Sequence, residues 1–247
     1  MFIDTSFDFT TDSPGFWDGF WDRREGLGAG GSDPDIASKT LQKYHQFLWS
    51  KELPCGEKMN LEICEGMNYL HWKNMYFGSD TIIVSFRYMR YKYMLDQVAK
   101  AVCDFRKYIE DYVHRSYTIG GTIIFPKHMG SMNQAKGTNK LICDRWDLTL
   151  ECIRKYYIGQ SSPLINTILR DKSFFDLFVN FKGYVDYFFL QDCVTKDYSK
   201  VKFFIGDGTF QENPLPKSVD EYLFFMEKER EFLERRNARI ESDCLSK

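Results

Sequence analysis

Between residues 93 and 115 the run YMLDQVAKAVCDFRKYIEDYVHR places Leu95, Val98, Val102, Phe105, Ile109 and Val113 three or four positions apart. That spacing lines one face of a helix, because a turn takes 3.6 residues. A few residues later the period gives way to GGTIIFP, an unbroken apolar run opened by Gly120 and Gly121 and ended by Pro126. β-Branched residues bounded by glycine and proline read as a short, fully buried strand whose start the two glycines loosen. A long amphipathic helix leading into a buried strand restricts the chain to folds that mix both elements around one core.

The remaining segments extend this pattern. FIDTSFDF alternates imperfectly and reads as a first strand; MNLEIC, MNYLHW, SDTIIVSFRY and KVKFFIGDGTF read as further strands. DIASKTLQKYHQFLW reads as a helix with Asp35 as its N-cap, and SSPLINTILRD and KSFFDLFVNFKGYVDYFFLQD as helical stretches. SVDEYLFFMEKEREFLERRNARIE opens with Ser218 and Glu221 in capping-box spacing. Residues 10–35 form a Gly/Asp/aromatic loop, and 218–243 a C-terminal helix. No repeat or linker separates two cores, and strands and helices do not alternate strictly. The expected fold is a single α+β domain over residues 1–247, with a short mixed or antiparallel sheet and several long helices. With 22 Phe and 15 Tyr, its core is Phe-rich and holds many hydroxyls that need partners.

Charge is uneven. Residues 1–35 carry eight acids against two bases and residues 207–247 ten against seven, so the formal net charge of −2 leaves the middle of the chain at +7. A basic middle suits an anionic ligand, while the small total gives no support for non-specific nucleic-acid binding. Seven scattered cysteines include no CxxC and no Cys/His cluster, which argues against a zinc knuckle or a disulfide framework. MFIDTSFDFTTD lacks a basic region and an apolar run, and no stretch approaches the roughly 20 apolar residues of a membrane span. A reduced cytoplasmic setting is expected, with no membrane partner.

The candidate site centres on NQAKGTNKLICDRWDLTLECIRKYY, residues 133–157. Asp144, Asp147, Glu151 and Arg154 share one helical face, opposite the apolar Trp146, Leu150, Ile153 and Tyr157. Asp144 reads as the N-cap. Asp147 and Glu151, one turn apart, are candidates for a base or for the ligands of a divalent cation, and Arg154 for holding phosphate. The bland alternative is a solvated face with Glu151 paired to Arg154. Upstream, Lys136 and Asn139 lie in a Lys/Asn/Gly loop that feeds a helix N-terminus, a natural anion seat, although no Walker spacing is present.

FRYMRYKYM, residues 86–94, interleaves Arg87 and Arg90 with tyrosines, as a nucleotide or single-strand site requires. His45 is the candidate acid, with Lys51 close enough in sequence to tune it. GLGAGG at 26–31 is followed by Asp33-Pro34 and does not open a helix after a strand, which argues against a dinucleotide fingerprint. No GxSxG, HExxH or Cys–His signature is present.

The blocks at 44–51 (YHQFLWSK), 120–126 (GGTIIFP), 144–154 (DRWDLTLECIR) and 181–192 (FKGYVDYFFLQD) resemble an uncharacterised bacterial family, a domain of unknown function, over most of the chain. The resemblance implies no activity; small bacterial families of this kind are associated with toxins and phage defence. The leading expectation is an enzyme acting on a phosphate-bearing substrate, a nucleotide or nucleic acid. The alternative is a non-catalytic interaction or ligand-sensing protein, antitoxin- or adaptor-like, using the aromatic loop of Phe16, Trp17, Phe20 and Trp21.

Overall fold

GGTIIFP supplies the strand at the centre of the molecule, and the fold is built outward from it. In a computed structural model, which describes residues 3–17, 20, 33–64, 69–82 and 92–245, the TIIFP part is a strand buried at every position. In chain order the described elements are α1 (Pro34–Ala37), α2 (Lys39–Trp49), β1 (Glu62–Ile63), β2 (Leu70–Trp72), β3 (Met75–Thr81), α3 (Lys92–Ala101), α4 (Phe105–Ser116) and β4 (Thr122–Pro126). The second half is helical: α5 (Met132–Thr138), α6 (Trp146–Tyr157), α7 (Ile165–Arg170), α8 (Lys172–Asp176), α9 (Phe181–Tyr187) and α10 (Val219–Leu245). The architecture is α+β, with a small antiparallel sheet in the order β1-β2-β3-β4.

Strand lengths are unequal, and this creates the polar centre described below. β3 pairs with β4 over its last five residues, from Phe77↔Pro126 to Thr81↔Thr122. β2 covers only residues 75–77 on the other side. The outer edge of residues 79–81 is therefore met by side chains, which an unpaired edge requires.

The glycines do more than loosen the strand. A Cβ on Gly121 would lie 1.8 Å from the Ser116 carbonyl oxygen, and one on Gly120 2.5 Å from Asn237 Oδ1. Gly120 allows α10 to pack against the turn before β4, and Gly121 lets that turn close on the end of α4. The buried stripe of α10 runs Tyr222, Phe225, Met226, Glu229, Phe232, Leu233, Arg236 and Ile240, a spacing of three and four. Ser218 Oγ accepts the Glu221 amide at 3.1 Å, and the Glu221 carboxylate takes the Lys217 amide, so the helix start is capped from both sides. Phe174, Phe175, Phe178, Tyr184 and Phe188 interlock with ring centroids 5.0 to 6.5 Å apart. Each buried Phe contributes about 1.5–3 kcal/mol, so the aromatic content is spent on the core.

Four expectations are corrected. FIDTSFDF is not a strand: Asp4 and Asp8 accept the amides of Ser6 and Thr10, both at 2.9 Å, and fold the backbone into Asx turns. The helix expected over 93–115 breaks before Asp104, whose carboxylate accepts the Lys107 amide and starts α4 afresh. KVKFFIGDGTF is irregular, turned at Gly206 and Gly208, which both have φ near +70°. Much of the Lys/Asn/Gly loop is α5, so Lys136 sits on a helix.

Candidate functional site

The expected catalytic row is buried and committed to ion pairs. α6 is buried on all sides from Trp146 to Ile153. Asp147, with no exposed surface, receives the Arg145 guanidinium on both oxygens and also the amides of Leu148 at 3.0 Å and Phe204 at 2.8 Å. Arg145 continues to the carbonyls of Ile205 at 2.7 Å and Pro214 at 2.8 Å. The pair therefore fastens the irregular 204–214 segment to α6. Glu151 holds Arg154 through two bonds of 2.7 and 2.8 Å, and Arg154 reaches the Ser199 carbonyl. That bidentate bond raises the Arg154 pKa.

Asn139 shapes the loop ahead of α6. Its side-chain oxygen accepts the Leu141 amide at 2.9 Å and its amide donates to Pro163 O at 3.2 Å. Asp144 is not the N-cap. That position is Arg145, without a side-chain cap bond, while Cys143 and Asp144 occupy left-handed conformations with φ of 51° and 59°. Such residues cost about 1–3 kcal/mol each and persist only where their surroundings hold them. Lys136 supplies the hold: its ammonium binds the Asp144 carboxylate, and its carbonyl accepts the Asp144 amide at 3.1 Å.

Lys136, 2% exposed, also leads to the outer edge of β3. Its Nζ lies 3.0 Å from Asp80 Oδ2 and 3.4 Å from the Thr81 carbonyl. Asn133 Nδ2 donates to the Ser79 carbonyl at 3.1 Å. On the same edge Asp35 accepts from Ser79 Oγ at 2.7 Å, Thr81 Oγ1 at 2.6 Å and the Thr81 amide at 3.1 Å. Asp35 is therefore no helix cap; Asp33 caps α1 and Ser38 caps α2.

His45 joins this edge from α2. Trp49 Nε1 donates to its Nδ1 at 2.8 Å, which leaves the proton on Nε2, directed at Ser79 Oγ 3.1 Å away. The run Trp49–His45–Ser79–Asp35 is a continuous hydrogen-bond chain. Burial, then the positive field of Arg236, pushes the His45 pKa down to about 3. Lys51 does not tune it; its ammonium lies over the rings of Phe189 and Tyr187, at 4.2 and 4.7 Å.

Asp80 and Asp144 thus flank one ammonium, and Asp35 is held by Ser79 and Thr81 on the same strand edge. Burial raises Asp80 to about 8, aided by Asp144 and Asp35 and opposed by Lys136. Burial also raises Asp35 to about 6, with Asp33 adding to it and Thr81 and Ser79 opposing. Burial works against the Lys136 ammonium, but Asp144 and Asp80 more than offset it and hold the proton firmly. Burial thus raises both carboxyls, Asp80 further than Asp35.

Sequence reasoning singled out Lys136 and His45, and the structure brings both to this edge; it holds Asp147, Glu151, Arg154 and Asn139 in structural bonds elsewhere. Arg87, Arg90, Trp21 and GLGAGG lie outside the described residues. Ser79, Asp80 and Thr81 were missed, although an acid inside the apolar run FGSDTII is itself a signal, since an aspartate in a buried strand needs a partner. Phe16 is buried against Tyr117, Trp17 and Phe20, and Trp17 meets the His114 ring at a tilt, 4.8 Å between centroids, so these rings pack on their own chain.

Among the described residues, no three His, Cys, Asp or Glu side chains converge to hold a metal ion, and no helix is long and apolar enough to cross a membrane. A surface groove of about 290 Å³ under residues 205–215 contains Asp207, Glu212 and Lys217, with Lys217 paired to Glu212. No curated protein and no solved structure matches the chain. A family model does match, over residues 3–240, nearly the whole length, and the chain belongs to that family of unknown function, DUF6994.

Proposed function

We propose that the protein is an enzyme that acts on a phosphate-bearing substrate, a nucleotide or nucleic acid, by proton transfer at the outer edge of β3. Asp35 is the base and Asp80 the acid. His45, locked neutral, is a positioning residue that orients Ser79 and through it Asp35. The observation that carries this reading is the excess of carboxyls over ammonium: among the described residues Asp80 and Asp144 are ion-paired with Lys136 alone, Asp35 lies on the same strand edge, and burial raises Asp80 and Asp35, so the cluster retains a transferable proton near neutral pH. The phosphate-bearing class is supported by the net +7 of residues 36–206. It is not supported by Lys136 or Arg154, whose charges carboxylates already neutralise. The association with toxins or phage defence adds no chemistry to this reading.

The test is to incubate the purified protein with a pool of nucleotides and short oligonucleotides and follow consumption by mass spectrometry. Asp35→Asn and Asp80→Asn, both near-isosteric, should each abolish turnover while retaining the wild-type circular dichroism spectrum. Equal turnover in folded Asp35→Asn and wild type would defeat the assignment.

A further inference from the structure

A surface groove of about 290 Å³ lies between α10 and the segment at residues 202–204, with Phe203, Phe204 and Phe232 in its lining. These walls are held by their own chain. The Lys202 amide donates to the Cys193 carbonyl at 2.8 Å, beside the Val194↔Val201 bridge, and the Phe204 amide to Asp147 Oδ2 at 2.8 Å. The Phe203 ring lies so close to Gly208 that a Cβ there would come within 2.0 Å of it. Phe204 packs on Phe225 and Phe232, with ring centroids 5.8 and 6.1 Å away.

The charged side chains in the same lining divide into two groups. Both carboxylates already have cations: Asp192 takes Arg239 through bonds of 2.5 and 3.1 Å, and Glu231 takes Lys228 at 2.9 and 3.0 Å. Lys228 also lies over the Phe224 ring, 5.3 Å from its centroid. Lys202 and Arg235 remain, both exposed. Among the described residues, the Lys202 ammonium meets only the backbone carbonyl of Asp192, at 3.4 Å. Arg235 makes one long contact, from Nη2 to Glu231 at 3.4 Å, which leaves the rest of its guanidinium fork without an acceptor.

A ligand that completes the groove brings a ring for the phenylalanines and an anion for Lys202 and Arg235. An anion alone would leave the rings unused, and a neutral ring would leave the two cations unused. Pockets for small ligands start at about 300 Å³, so the space suits one ring system with one head group.

We propose that this groove binds an aromatic phosphate monoester, the class to which mononucleotides belong, with its ring against Phe203 and Phe232 and its phosphate at Lys202 and Arg235. A phosphate monoester carries a charge of about −1.5 to −2 at neutral pH, which the two cations match. The site is separate from the proton transfer proposed at β3, since no lining residue bonds to Asp35, Ser79, Asp80 or Lys136 among the described residues.

Calorimetric titration of the full chain tests this with phenyl phosphate, using inorganic phosphate and phenol as its two halves. Phenyl phosphate should bind about tenfold more tightly than either half. Lys202→Gln, Arg235→Gln and Phe203→Leu should each weaken it about fivefold. Lys182→Gln, which removes an exposed cation on α9, and Asp35→Asn should bind as wild type does. Neither Lys202 nor Arg235 holds another element in place, so both variants should keep the wild-type melting temperature and report binding alone. No binding of phenyl phosphate, equal affinity for either half, or wild-type affinity in Lys202→Gln or Arg235→Gln would overturn the proposal. So would loss of binding in folded Asp35→Asn, which would move the ligand to the β3 edge.

Discussion

The indole N–H of Trp49 donates to Nδ1 of His45 at 2.8 Å, one turn earlier on α2, and this bond sets the tautomer of a histidine with no exposed surface. His45 then presents Nε2–H to Ser79, and its pKa stands at about 3. The side chain is expected to remain neutral from pH 5 to 8, with the proton on Nε2 throughout. Nitrogen-resolved NMR of the imidazole would show this as shifts that stay flat across the range, and a titration midpoint near 6.5 would contradict it. Trp49→Phe, which strips the donor from Nδ1, should destabilise the fold by about 1–3 kcal/mol.

Two ion pairs on α6 differ in burial, and their loss should differ in size. Asp147→Ala leaves Arg145 buried without its anion and frees the 204–214 segment, at a cost of about 3–5 kcal/mol. Glu151→Ala leaves Arg154 beside solvent, with 17% of its side chain exposed, and should cost about 1–3 kcal/mol. Urea unfolding gives the order, and amide exchange at Phe204 reports release of the segment. A larger loss from Glu151→Ala would reverse the assignment of which pair holds the molecule together.

Asp80 predicts an alkaline loss of stability. Its folded pKa, about 8, lies above the 3.8 of a free aspartate, so the folded chain holds a proton that the unfolded chain releases, and that stability is lost as pH rises through 8. Asp35, raised to about 6, acts in the same sense at lower pH. His45 acts in the opposite sense below about 6.5, where the unfolded histidine takes a proton that the folded one refuses. Between pH 6.5 and 8 Asp80 therefore dominates among these three, and wild type should lose up to about 1.4 kcal/mol per pH unit relative to Asp80→Asn. Parallel slopes for the two proteins would show Asp80 to be ionised at neutral pH.

The same two carboxyls set the expected rate profile. With Asp35 as base and Asp80 as acid, kcat/KM should rise as pH passes about 6 and fall as it passes about 8. A profile that climbs without a fall to pH 9 would remove Asp80 from the role of acid.

Local periodicity made the helices, the GGTIIFP strand and the C-terminal cap legible. What stayed hidden was long-range pairing. Asp144 precedes a helix and reads as its cap, yet Lys136 draws its carboxylate away and leaves the residue left-handed. Asp35 reads as a cap for the same local reason and is claimed by Ser79 and Thr81, more than forty positions away. The Asp147–Arg145 bond is short in sequence, but its purpose lies at Phe204 and Pro214. Lys136 and His45 were found because a lysine among glycines and a histidine beside tryptophan stand out by type; Asp80 was missed because its neighbours made it look like part of a strand.

The two glycines before β4 give the sharpest packing prediction. A Cβ on Gly121 would meet the Ser116 carbonyl oxygen at 1.8 Å, an overlap that only backbone movement relieves. On Gly120 it would meet Asn237 Oδ1 at 2.5 Å and the Leu233 carbonyl at 2.8 Å, pressing α10 off the sheet. That movement would also stretch the Asn237 bond to the Gly120 amide, now 2.7 Å, and the bonds from fully buried Arg236 to the carbonyls of Gly120 and Thr122. Gly121→Ala and Gly120→Ala should each cost about 3 kcal/mol or more, above the ordinary range for a surface glycine. Gly159→Ala is the control: nothing lies within 4 Å of its Cβ position, and only its φ of +69° opposes the change. Thermal unfolding of the three variants decides it, and a Gly120→Ala protein as stable as Gly159→Ala would mean that α10 does not seat on this turn.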